Sequence, residues 1–184
     1  MTTHAKMVES AWEILAEAGV PGLTIENMAQ SLSCTISELQ HLLPSQASII
    51  LMLHDDIHRQ AMQSIDKVDD SSQTHDLLFE AIMAHFDELE QHRVAVKRLW
   101  HDMLLTPSFW LEFRPHFSAA CRNVLNYASV DTSGPTGSAK VFAFSAFCLT
   151  LLPVWLSDSS NDRSKIMTVV DQGLRRLGQF ASYV

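Results

Sequence analysis

Few residues in this chain stand at spacings that could do chemistry. "HDDIH", His54 to His58, sets two imidazoles one helical turn apart with Asp55 between them, superficially like the zinc-binding helix of a metalloprotease. The glutamate such a helix carries beside its first histidine is absent, and no third ligand can be named, so the segment reads as an exposed polar helix face. His85 and the pair His101-Asp102 add no further spacing. "GPTGSAK", Gly134 to Lys140, is not a phosphate-binding loop, because Lys140 is followed by Val and no strand precedes it. No Gly-x-Ser-x-Gly or other nucleophile signature occurs. Cys34, Cys121 and Cys148 are odd in number and lack CxxC spacing, which suits core thiols in a reducing compartment. The reading is therefore no enzyme, no metal and no cofactor.

Recognition chemistry is more visible. In "TISELQHLLPSQ", Thr35 and Glu38 form a T-x-x-E capping box, which starts a helix at Ile36. The helix ends before Pro44, because the residue ahead of a proline is pushed out of the α region. Thr35, Ser37, Gln40 and His41 would face a DNA major groove, and Gln40 and Gln46 can donate to phosphates or base edges. Thr24, Thr35 and Ser45 mark helix starts whose backbone N–H groups suit phosphates. The charge runs the other way: residues 1–50 carry Lys6 alone against Glu9, Glu13, Glu17, Glu26 and Glu38. Phosphate neutralisation by cations supplies most non-specific affinity, so DNA binding by this head is expected to be weak.

These residues need helices to position them. Met7, Ala11, Ile14, Leu15 and Ala18 share one face of a first helix that stops at Gly19, with "GVPG" as its turn. Thr24 caps a second helix of barely two turns, "SLSC" separates it from the third, and a long fourth helix runs from Gln46 to about Val68. Further helices read at about His75–Gln91, Arg93–Leu105, Pro107–Ala128, Thr136–Ser157 and Asn161–Ser182, with "SVDTSGPTGS" as the most flexible loop. No strand pattern appears. The chain reads all-α, about nine helices: a three-helix helix-turn-helix head at 1–45 and a helical bundle at 46–184.

The whole chain agrees. Its 184 residues can bury a sizeable core, and 47% hydrophobic with 18% charged residues lies in the globular range. There is no apolar stretch behind a basic start in "MTTHAKMVES", so a cytoplasmic protein is expected. The longest apolar run, Val141 to Leu156, is shorter than the roughly 20 residues of a membrane span and reads as a buried helix.

From Met7 to Ile57 the chain resembles the DNA-binding region of the TetR family of one-component regulators. The matching positions are Ala11, Leu15, Ala18 and Gly19, Leu23-Thr24, Met28-Ala29, Leu39 and Pro44-Ser45. It departs from the pattern at four places: Ser33 replaces the turn glycine, Gln40 the usual aromatic, Leu43 the usual Phe, and Gln46 a common Lys. The resemblance implies a regulator that binds double-stranded DNA, dimerises through its last two helices and holds a small ligand in its body. Phe86, Trp100, Phe113, Phe117 and Phe144 are the aromatic candidates for an apolar ligand, although aromatics at helical spacing also build ordinary cores. Cys148, Leu151 and Trp155, with Val170, Leu174 and Leu177 on the last helix, would meet their symmetry mates in a four-helix homodimer interface. From Leu152 on, the chain is also similar to the end of a TetR-fold lipid-binding protein of ubiquinone biosynthesis. That keeps a second function in view: a protein that has lost DNA binding and holds a lipid, an isoprenoid or a protein partner.

Overall fold

A computed structural model describes residues 4–65, 73–160 and 162–181. Among them are nine helices: α1 (His4–Gly22), α2 (Ile25–Ser31), α3 (Ile36–Leu42), α4 (Gln46–Ser64), α5 (Thr74–Glu90), α6 (Arg93–Leu105), α7 (Pro107–Tyr127), α8 (Gly134–Ser157) and α9 (Ser164–Ala181). The expected ends of the fourth helix at Val68 and of the last at Asn161 and Ser182 lie outside the described residues.

The helix ends follow from local chemistry. Gly19 breaks α1 with φ +67°, and Pro21 follows in its last turn. A Cβ on Gly19 would lie 2.8 Å from Asp102 Oδ2, so glycine is required there twice over. Thr24 caps α2 by accepting the Asn27 N–H. At the other end of α2, the Ser33 N–H reaches Gln30 O at 3.2 Å and the Cys34 N–H reaches Ala29 O at 3.0 Å, a Schellman motif that puts Ser33 at φ +51°. α8 starts at Gly134, two residues before the expected Thr136. Pro135 suits the first helical turn because its missing N–H would have no partner there, so part of the expected loop is helix.

The chain forms two compact units. The first comprises Met1–Arg59 and Leu89–Pro115. Its core holds Ala11, Leu15, Leu23, Met28, Leu39, Ile49, Ile50 and Leu53, all essentially inaccessible. α1 packs along both α2 and α6; the Val20 N–H donates to Asp102 Oδ2 at 2.9 Å and Arg98 to Glu17 O at 2.6 Å. The expected boundary at residue 45 therefore falls inside this unit, because α1 buries a second face on α6. "HDDIH" is also not an open polar face: Asp56 is buried beside Arg59, and His54 sits edge-on to Phe113 with centroids 5.2 Å apart.

The second unit comprises Gln60–Glu88 and His116–Val184. α8 and α9 pack together; Phe144, Leu151 and Trp155 on α8 and Ile166, Val170 and Leu174 on α9 are all buried. Phe86 stacks on Trp155 with ring centroids 5.5 Å apart. Cys121 is buried and in hydrogen-bond contact with Cys148, which pulls the Cys121 thiol down and pushes the Cys148 thiol up. α8 differs from the expected buried helix. At 24 residues it is long and apolar enough to cross a membrane by length and composition, yet only 28% of its most apolar window is buried. Its earlier start at Gly134 supplies the length missing from the Val141–Leu156 run, and its outer face leaves Phe142 72% exposed.

Candidate nucleic-acid interface

α3 is held by one side and offers the other. Leu39 and the C-cap Leu43 are buried, which stabilises the seat by about 2 kcal/mol per leucine. Ser37, Gln40 and His41 are exposed and sit on one continuous outer surface. The capping box is complete: Thr35 Oγ1 accepts the Glu38 N–H at 3.3 Å, and Glu38 Oε2 accepts the Thr35 N–H at 3.0 Å and its hydroxyl at 2.7 Å. These bonds from the Thr35 hydroxyl and N–H hold the Glu38 carboxyl below its ordinary pKa.

Three of the expected DNA contacts are already committed to the protein. The Thr35 hydroxyl donates to Glu38, so its job is to start α3. The Thr24 hydroxyl accepts the Asn27 N–H at 3.2 Å. The Gln46 Nε2 donates to Val20 O at 2.6 Å and Leu23 O at 3.1 Å, which fastens the start of α4 to the α1–α2 turn. An amide whose two N–H groups are spent in this way has no donor for a phosphate. Ser45 and Ser48 cap each other reciprocally at the same helix start. Ser37, Gln40 and His41 are the expected residues that remain presented outward.

Two residues missed from the sequence join them. Ile36 is 44% and Leu42 59% exposed, so the outer surface of α3 is polar and apolar with no lysine or arginine. Their exposure was not legible beforehand, because a seven-residue helix carries too little periodicity to separate its faces.

The other expected sites lie elsewhere. Trp100 and Phe113 belong to the first unit, where Trp110 bridges them edge-on with centroids 6.4 Å and 6.0 Å away. Phe86, Phe117 and Phe144 belong to the second, with Phe86 and Phe144 in its core. Among the expected interface residues, Leu151, Trp155, Val170 and Leu174 are buried within the chain itself, so a second copy cannot reach them. Cys148 contacts Cys121, and Leu177 is half-buried. Among the described residues no group of three or more His, Cys, Asp and Glu side chains is placed to hold a metal ion.

No family model and no curated protein matches the chain. Solved structures do. A TetR transcriptional regulator from Nitrosomonas europaea superposes with a TM-score of 0.74 at 13% identity, over 96% of this chain and 98% of that one. A putative TetR-family regulator from Rhodococcus sp. gives 0.66 at 11% identity over 95% and 97% of the two chains. One from Streptomyces coelicolor gives 0.64 at 12% identity over 98% and 85%. With α1–α3 arranged as a capped helix-turn-helix and the likeness running nearly end to end, this chain has the fold of the TetR-family transcriptional regulators.

Proposed function

We propose that the protein is a cytoplasmic, homodimeric transcription regulator that reads double-stranded DNA through α3 and responds to a small apolar ligand. The observation that carries this reading is α3 itself: a capped helix, seated by Leu39 and Leu43, that turns Ser37, Gln40 and His41 outward. Such a helix can enter a major groove and contact base edges with those three side chains. Functionally, residues 1–45 would be the reading head and 46–184 the ligand-binding and dimerising body.

Affinity should depend little on salt. With Gln46 spent on Val20 and Leu23 and no cation on α3, few counterions are released on binding. Discrimination then rests on direct contacts from Gln40, which suits an adenine edge, and from Ser37 and His41.

The second copy would meet the outer stripe of α8, on which Phe142, Ala146, Leu149, Pro153 and Leu156 recur at helical spacing. That stripe replaces the buried residues expected from sequence. A dimer places two heads on two half-sites, as a helix-turn-helix reader requires.

The test is capture of genomic DNA fragments by the purified protein, with Gln40→Ala/His41→Ala as the control. Both side chains are exposed, so the control keeps its fold, whereas Thr35→Ala would unseat α3. Enrichment of one sequence that the double variant loses supports the reading. Equal capture by both proteins, or none at low salt, sinks it. Trp100→Ala tests the ligand arm: release of the captured fragment by an apolar ligand should weaken, and unchanged release removes Trp100 from the pocket.

A further inference from the structure

A cleft of about 480 Å³ opens between the C-terminal end of α1 and α6, wholly within the first unit. Its volume falls in the range of small-molecule sites. Ala18, Pro21 and Val94 give it an apolar surface, and Lys97, Arg98 and His101 add nitrogen groups along α6. None of the aromatic residues put forward for the ligand pocket lines it.

The charges in this cleft are unevenly committed. Asp102 is its acid, and that carboxylate is engaged: Oδ2 accepts the Val20 N–H at 2.9 Å, and Oδ1 lies 3.4 Å from His101 Nδ1. Arg98 gives one N–H to Glu17 O, leaving the rest of its five-donor fork available. Lys97 is exposed and has no hydrogen-bond or ion-pair partner among the described residues. Two cations thus flank an apolar surface in a chain of net charge −8. Val94, 64% exposed, adds uncovered apolar area beside them. Gly19 lets α1 approach Asp102 at the edge of the cleft, where a Cβ would lie 2.8 Å from Asp102 Oδ2.

We propose that this cleft binds a small organic anion: an aromatic or short aliphatic body lying on Ala18, Pro21 and Val94, with one carboxylate or sulfonate between Lys97 and Arg98. The site is independent of DNA reading, and its test needs no DNA.

The experiment is an amide-shift titration of the full-length protein by NMR with 2-naphthoate, beside its neutral analogue 2-naphthalenemethanol. The naphthoate should shift amides within 18–22 and 94–102, and bind several-fold more tightly than the alcohol. Lys97→Gln should weaken naphthoate about threefold at low salt, less at high salt, and leave the alcohol unchanged, as expected for one exposed ion pair. Val94→Asp should abolish binding of both. Lys97 and Val94 are exposed, so both variants should fold. Shifts confined to α5, α8 and α9, no shift at all, or equal affinity for naphthoate in wild type and Lys97→Gln would each overturn the proposal.

Discussion

Ser33 is a side chain in a place made for none. The Schellman turn that closes α2 holds it at φ +51°, a left-handed conformation that costs an L-residue about 1–2 kcal/mol relative to glycine. Ser33→Gly should therefore raise stability in chemical denaturation by up to about 1 kcal/mol, reduced by the extra freedom glycine has when unfolded. Ser33→Val should lower it. His92 makes the pH prediction. It stacks on Trp12 at 4.2 Å, and burial pushes its pKa below the ordinary value, the Asp56 charge opposing. A histidine whose folded pKa lies below its unfolded value of about 6.5 takes a proton more readily when unfolded. Its contribution is thus constant above that pH and is lost as pH falls through 6.5 toward the folded value. His58 acts in the same sense, through burial and then the His54 charge. His92→Phe keeps the stacking, so its melting temperature should fall less than the wild type's between pH 7 and 5. An equal fall in both would remove His92 from the effect.

At the scale of elements, α3 depends on its cap and α9 on a missing side chain. Seven residues are too few to hold a helix by propensity, so Thr35→Ala, which removes the hydroxyl half of the capping box and leaves the backbone N–H bond to Glu38, should cost about 1 kcal/mol. Thr35→Ser should recover most of it, and DNA capture should follow the stability. Gly173 on α9 lies under the Phe147 ring, where a Cβ would approach to 2.1 Å. Gly173→Ala should destabilise by about 1–3 kcal/mol, the usual cost of overpacking, and should do so in the unit containing α8 and α9. Hydrogen exchange would locate the loss: faster exchange confined to α2–α3 would contradict that assignment.

At the scale of the whole molecule, the exposed apolar face of α8 is the surface on which the proposed dimer can be tested. Phe142 at 72% exposure, within a helix whose apolar window is 28% buried, leaves apolar surface that soluble chains tend to cover with another protein surface. If a second copy covers it, Phe142→Glu should convert the dimer to a monomer in light scattering, with helix content retained. Thermal unfolding of the wild type alone should depend on concentration. A wild type that is already monomeric would end the dimer proposal.

Much of the architecture was legible in the residues themselves. The apolar frame of α1, the Thr24 and Thr35 caps, the Pro44 stop and the 3.6-residue periodicity are local signals, each acting within a turn or two of backbone. They determined an all-helical chain with a helix-turn-helix head, even though the three solved structures named above are only 11–13% identical to it. Which side of each helix meets which neighbour was decided by packing between segments distant in sequence. Gln46 looked like a DNA donor until α1 came within reach of its amide. Trp155 and Leu174 looked like a dimer surface until α8 and α9 closed on each other. Apolar spacing shows that a face must be buried, and only the fold decides whether the chain or a second copy buries it.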